Sequence, residues 1–199
     1  MFFSNKIRSY FFATLLLSTA FVAAEHDVLV EGKASAFMPT GDVFKEDFGT
    51  SGLFGFEITA KIVGNVYGFG SFDFISKSGQ TVFFESASKV YTSNFGLGLK
   101  YFIPTSETLD FYVGLGAQPT YLRTIDGSDV ETEHQRWGWG GIAKIGAIIN
   151  LPGSFFVDLF IDYSFVKIDF TTPFGAPIQS ADAILNGAIF GLGFGYRFN

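Results

Sequence analysis

The feature that most constrains how this chain can fold is its C-terminal stretch, residues 187–199. From Phe190 onward every second residue is large and apolar or aromatic, and the residues between them are three glycines and Arg197. A period of two is typical of a β-strand with two different faces. Wide aromatic side chains opposite glycine predict a strand whose outer side meets lipid and whose inner side meets a crowded polar interior.

The same alternation occurs in seven earlier segments, so the sequence predicts eight strands. Together with the last stretch they cover residues 28–38, 52–62, 66–76, 89–102, 109–122, 138–149, 155–167 and 187–199. The connections after the second, fourth and sixth segments are short, whereas the others are long and polar. Short turns on one side and long loops on the other are typical of bacterial outer-membrane barrels. Because hydrocarbon tolerates no open sheet edge, we predict an all-β fold, an eight-stranded antiparallel up-and-down transmembrane β-barrel.

Composition excludes several classes of function. The chain has 27 phenylalanines, 24 glycines and no cysteine, and its formal net charge is −6. The absence of cysteine excludes disulfides and thiol chemistry. The net negative charge and the lack of a basic stripe exclude nucleic acid as a partner. No cofactor is expected.

The N-terminus has the pattern of a secretory signal peptide. Lys6 and Arg8 precede an apolar run over residues 10–22, which ends at Ala23 and Ala24. A charged start, a short apolar run and small residues at the end are the three parts of such a signal. We therefore expect residues 1–24 to be the signal peptide and residues 25–199 to form the barrel outside the cytoplasm.

A soluble periplasmic ligand-binding barrel is the alternative fold that alternation alone leaves open. In that fold the large apolar residues would point inward and the charged residues would face water. Two features favour the membrane barrel. Glycine on the minority face relieves crowding in a narrow lumen, and the aromatic load exceeds what an eight-stranded interior holds.

The composition of several strands resembles the outer membrane protein β-barrel domain family, the small eight-stranded barrels akin to OmpA, OmpX and OmpW. The stretches that carry the resemblance are residues 36–40, 44–45, 52–57, 95–100, 111–116 and the C-terminal strand. The resemblance implies an outer-membrane location, and outer-membrane lipid and lipopolysaccharide as partners of a monomeric barrel. It does not settle function, because members include adhesins, structural proteins, small-solute pores and a few lipid-modifying enzymes.

The chain end is similar to the C-terminal assembly signal of such barrels. Gly193, Tyr196 and Phe198 occupy the matching positions, while Asn199 follows the phenylalanine and Gly191 stands where a polar residue is usual. The similarity implies the barrel-assembly machinery as a further partner.

Ten charged residues fall on the predicted inward face. They are Glu31, Lys33, Glu57, Lys61, Asp73, Lys100, Lys144, Asp158, Asp162 and Arg197. Such a set can line a pore or can fill the lumen as a network of ion pairs. Eight strands leave little room beyond their own side chains, and buried charges need partners, so we expect a filling network. Arg197 is expected to pair with an acid on the adjacent first or seventh strand.

The sequence offers no convincing catalytic or metal site. His134 lies in the third long loop near Asp126 and Asp129, but no second histidine stands at metal-ligand spacing and no serine at a supporting one. We therefore expect no metal and no enzymatic activity. Acid-rich loops on a rigid scaffold predict a structural or surface-contact role, such as that of an adhesin or antigen. A narrow pore for small solutes is the alternative.

Overall fold

A computed structural model of the protein describes residues 27–40, 49–80, 87–126, 132–169 and 182–198. The predicted signal peptide, residues 1–24, lies outside these ranges and stays a prediction. The side chains of Asp126 and His134 and the whole of Asp129 also lie outside what is described, so the loop metal site that the sequence disfavours is not tested.

The described residues form nine strands in one antiparallel sheet, with a single short 3-10 helix, Pro152–Ser154. The strands are β1 Val28–Pro39, β2 Ser51–Val63, β3 Val66–Gln80, β4 Ala87–Pro104, β5 Leu109–Ala117, β6 Thr120–Asp126, β7 Thr132–Asn150, β8 Phe155–Asp169 and β9 Asp182–Phe198. Each strand pairs with neighbours on both sides, and β1 pairs with β9 to close the sheet. Within the described ranges, no helix is long and apolar enough to cross a membrane.

Two of these strands, β5 and β6, are halves of one strand of the wall. Ala117 lies opposite Leu97 of β4, and Thr120 lies opposite Asn94, so the register does not change across the gap. The gap contains Pro119, which has no N–H to give to the ladder. The barrel therefore has eight wall strands, as the alternation predicted.

The strands extend further toward the long loops than the sequence indicated. β7 begins at Thr132 rather than at residue 138, and β9 begins at Asp182 rather than at residue 187. The added residues of β7 are mostly polar, and those of β9 include three consecutive apolar residues, 183–185, so neither segment alternates. Strand pairing depends on backbone hydrogen bonds and continues where the alternation stops. At the other end the turns are short: Gly64–Asn65 joins β2 to β3, with Gly64 at a φ of 54° that favours glycine.

The two faces of the wall are reversed relative to a soluble protein. Leu97, Phe54 and Trp139 are 70 to 72 % exposed on the outside, whereas Glu57 and Asp158 are fully buried inside. A continuous exposed apolar wall suits hydrocarbon and not water. The soluble alternative is therefore wrong.

The lumen also contains apolar side chains, which the sequence analysis did not anticipate. Toward the short turns these are Leu29, Tyr67, Phe102, Tyr112, Ile148 and Phe156. Toward the long loops they are Phe37, Leu53, Ile75, Leu122, Val166 and Ile189. At the short-turn end the rings of Tyr67 and Phe102 lie 4.4 Å apart, and those of Phe102 and Tyr112 lie 5.7 Å apart. The charged residues thus lie between two apolar layers.

Candidate functional site in the lumen

Glu57 is the centre of the charged residues inside the barrel. It lies on the inward face of β2, where it is fully buried. Its Oε2 lies 3.3 Å from Lys33 Nζ and 3.1 Å from Lys144 Nζ, and its Oε1 contacts Lys100 Nζ. The hydroxyl of Thr59 also donates a hydrogen bond to Oε1, at 3.2 Å. One carboxylate therefore binds lysines from three other strands.

Asp162 on β8 is the second carboxylate of this group. Lys144 Nζ donates to its Oδ2 at 2.6 Å, and Lys33 Nζ lies 3.6 Å from the same oxygen. Lys33 and Lys144 each bridge two carboxylates, which is the pairing that a buried charge requires. We call Lys33, Glu57, Lys100, Lys144 and Asp162 the ion-pair cluster.

Aromatic faces surround the three lysines of the cluster. Lys33 Nζ lies 3.9 Å from the centre of the Phe160 ring, and Lys100 Nζ lies 4.0 Å from that of Tyr112. Lys144 Nζ lies 5.2 Å from the centre of the Phe69 ring. The negative faces of these rings stabilise the ammonium groups in place of water.

Three further predicted residues, Glu31, Asp73 and Asp158, are buried in the same lumen. Tyr112 donates a hydrogen bond of 2.8 Å to Asp158 Oδ2. Glu31 and Asp158 flank Gly193, and a Cβ built on that glycine would lie against Glu31 Oε2 and 3.2 Å from Asp158 Cβ. The glycine leaves the space that the two carboxyl groups occupy.

Arg197 belongs to a second network, at the short-turn end. Its Nε lies 3.5 Å from Asp27 Oδ1, and its Nη2 donates to Asp110 Oδ2 at 3.3 Å. Tyr67 donates to Asp27 Oδ2 at 2.7 Å, and Asn150 donates to Asp110 Oδ2 at 3.2 Å. Asp27 directly precedes the adjacent first strand, whereas Asp110 lies on β5, a partner that the sequence analysis did not name.

Lys61 departs from the prediction. Its side chain is exposed, and it does not join the ion-pair cluster. The reason is local: Lys61 lies at the end of β2, where the register with β3 shifts between Lys61 and Val63. By alternation Lys61 should face the lumen, but it lies beyond the end of the lumen.

The sequence analysis missed an uncharged polar layer on the long-loop side of the cluster. Ser164 donates to Gln118 Oε1 at 2.7 Å, and Thr120 donates to Asn94 Oδ1 at 2.9 Å. These residues have the inward position in their strands, so alternation could have identified them. An uncharged polar residue on the inward face has no ion-pair requirement that would single it out in the sequence.

The described residues contain no group of three histidine, cysteine or acidic side chains able to hold a metal ion. The proposed assembly signal has Gly193 inside the barrel and Tyr196 and Phe198 partly exposed on its outer wall. Outward side chains are accessible to a partner during membrane insertion, and the role of the signal stays a prediction.

Comparison with solved structures finds the same fold in small outer-membrane barrels. OprG from Pseudomonas aeruginosa aligns with a TM-score of 0.62 at 14% identity, covering 87% of this chain and 96% of that one. OmpW from E. coli aligns with a TM-score of 0.60 at 16% identity, covering 87% and 98%. Ail, the attachment invasion locus protein of Yersinia pestis, aligns with a TM-score of 0.54 at 16% identity, covering 87% and 98%. At these identities the likeness shows the fold alone.

Comparison of the sequence with family models shows the family. No curated protein matches the chain significantly. The model described as "Outer membrane protein beta-barrel domain" matches residues 10–198, which is nearly the whole chain. The match begins within the predicted signal peptide. The resemblance of the strands and the outer-membrane location are thereby confirmed: the chain belongs to the outer membrane protein β-barrel domain family.

Proposed function

We propose that this protein is a closed, non-conducting barrel that holds its long-loop end outside the cell for contact with other surfaces. The observation that carries the proposal is the filling of the lumen. Glu57 binds Lys33, Lys100 and Lys144 from three other strands, and apolar layers lie on both sides of this contact. A barrel filled in this way is a rigid support for its loops.

The length of the wall supports the same role. β7 has 19 residues and β4 has 18, whereas about 9–11 residues suffice to cross a membrane. At about 3.3 Å per residue and a tilt of about 40°, β7 is roughly 48 Å tall against an apolar band of roughly 25 Å. The extra length lies on the long-loop side. We infer that a wall of paired strands projects from the outer surface.

A narrow pore is the second candidate function, and the charge of the lumen favours it. Besides Asp110, which pairs with Arg197, five buried carboxyl groups face three buried lysines in the described part of the barrel; the five are Glu31, Glu57, Asp73, Asp158 and Asp162. If the ion-pair cluster opened, the remaining acids would favour cations. We propose no enzymatic activity, because the buried charged groups lie inside the wall and not at the lipid surface.

The partners that we propose follow from the outer-membrane location. The exposed aromatic wall contacts membrane lipid and lipopolysaccharide, the barrel-assembly machinery inserts the chain, and the barrel works as a monomer after removal of residues 1–24.

Two measurements test the proposal, the first on refolded protein and the second on cells. Planar-bilayer recordings should show no discrete conductance, whereas stepwise currents in the wild-type chain would favour the pore. The second measurement compares cells that carry the protein with cells that carry a variant in which a short turn replaces residues 170–181. Cells with the unaltered protein should adhere more strongly to a host-cell or matrix surface. Equal adhesion of cells carrying equal amounts of the two barrels would contradict surface contact through that loop.

A further inference from the structure

Two buried carboxyl groups meet over Gly193 without a lysine between them. Glu31 on β1 is 6 % exposed, and Asp158 on β8 is fully buried. A Cβ on Gly193 would lie 3.2 Å from both Glu31 Cδ and Asp158 Cβ, so these atoms flank the same small space. A Cβ at this position of β9 would enter the space on which the two side chains converge.

One oxygen of each group has no hydrogen-bond partner among the described residues. These oxygens are Glu31 Oε2 and Asp158 Oδ1. The other oxygen of Asp158 accepts the hydroxyl of Tyr112 at 2.8 Å. Glu31 Oε2 is also the atom that lies over Gly193, which directs it toward Asp158.

The lysines that could neutralise the pair are engaged elsewhere. Within the described barrel, the ion pairs of Lys33, Lys100 and Lys144 go to Glu57 and Asp162. The groups nearest the pair on the surrounding strands are Lys33 on β1, Glu57 on β2, Lys100 on β4 and Tyr112 on β5. Asp162 on β8 and Lys144 on β7 contact Lys33 and Glu57 in turn. Two unpaired like charges in a sealed interior are costly.

A metal ion does not fit this space. Calcium takes 6–8 oxygen ligands, and the described residues hold no group of three acidic or histidine side chains arranged for a cation. A proton needs only the two free oxygens. Two carboxylates that share one site avoid their repulsion when one of them is protonated.

We propose that Glu31 and Asp158 form a proton-binding pair in which Glu31 Oε2 and Asp158 Oδ1 share one proton at neutral pH. The shared proton supplies the hydrogen bond that both oxygens lack, and it removes one negative charge from the lumen. The Tyr112 hydroxyl occupies Asp158 Oδ2, which leaves Oδ1 as the oxygen available to Glu31. This site does not depend on the proposed surface contact, and it would exist in a silent barrel or in a conducting one.

Infrared spectroscopy of the refolded protein at neutral pH tests the site. The wild-type barrel should show the C=O stretch of a protonated carboxyl group, shifted in heavy water. The band should be lost in Glu31→Gln and in Asp158→Asn. Asp73→Asn is the matched control, since Asp73 is another buried acid of the lumen, and there the band should remain. A wild-type spectrum without the band, or a band that is lost only in Asp73→Asn, would overturn the proposal.

Thermal unfolding in detergent gives an independent readout. Glu31→Gln should unfold at the wild-type temperature, because its amide donates to Asp158 as a protonated carboxyl group does. An equal loss of stability in Glu31→Gln and Glu57→Gln would mean that Glu31 is ionised in the folded barrel, which contradicts the shared proton. A melting temperature that rises with added sodium in the wild type but not in Glu31→Gln would assign the site to a cation instead.

Discussion

Glu57 and Lys144 form an ion pair of 3.1 Å although they lie on β2 and β7, strands that are not neighbours in the sheet. The contact crosses the lumen, so it exists only when the cylinder is closed. It joins opposite walls through side chains, whereas the backbone hydrogen bonds join only adjacent strands.

The first prediction concerns the stability that this contact provides. Glu57→Gln removes the carboxylate that pairs with Lys100 and leaves Lys33 and Lys144 with Asp162 alone, so we expect a loss of about 3 kcal/mol in the free energy of unfolding. The measurement is the denaturant midpoint of the refolded barrel in detergent. Glu107→Gln, in an exposed short turn, is the control and should be unchanged. A Glu57→Gln midpoint equal to that of the control would show that the cluster adds nothing.

The second prediction concerns conductance. Lys33→Ala combined with Lys144→Ala removes two long side chains that bridge Glu57 and Asp162, while every buried carboxyl group of the described lumen remains. We expect cation-selective currents in planar bilayers, where the wild type is silent. Lys61→Ala removes an exposed lysine outside the cluster and should stay silent. A silent double variant that folds correctly would show that the apolar layers alone close the barrel.

The third prediction concerns Gly193. Gly193→Val puts a side chain against Glu31 and Asp158, so refolding into the compact, heat-modifiable form should fall strongly. Gly32→Val is the matched control, because its Cβ would meet no atom within 4 Å on the outer wall. Gel migration before and after heating measures both. Equal folded fractions for the two variants would refute the crowding at Gly193.

The fourth prediction separates assembly from stability. Phe198→Ala removes a ring that is 54 % exposed on the outer wall, so refolding in detergent should be nearly unchanged. In cells, insertion should decrease if Phe198 is part of the assembly signal. Phe194→Ala, with similar exposure on the same strand, is the control and should insert normally. Equal insertion of the two variants would remove Phe198 from the signal.

The fifth prediction concerns the network at the short-turn end. Arg197 is partly exposed and contacts Asp27 and Asp110, so Arg197→Ala should cost about 1 kcal/mol, less than Glu57→Gln. Arg197→Lys should recover part of the loss, since it keeps the charge without the planar fork. Unfolding in detergent measures both variants. An unchanged midpoint in Arg197→Ala would show that the pairs to Asp27 and Asp110 are not stabilising.

Alternation along each strand predicted the fold, because a period of two decides which face a residue occupies. It correctly put Phe54 outside and Glu57 inside. It could not predict which inward residues meet, since the contact of Glu57 with Lys144 depends on closure and on the stagger of the strands. It also could not predict how much of the lumen the inward rings of Phe69 and Phe160 fill. The sequence analysis assigned that space to glycines and charged residues. Lys61 shows a further limit, because periodicity does not say where the lumen ends.

Pro119 gives the wall one unusual property. The Phe95 amide donates to the Pro119 carbonyl at 2.9 Å, but the proline has no hydrogen to return to the Phe95 carbonyl. The ladder therefore lacks one rung although the count of residues is intact, and Ala117 and Thr120 keep their partners. At this height the fourth and fifth wall strands are therefore joined by one backbone hydrogen bond fewer, and the pairs above and below it keep the circumference closed.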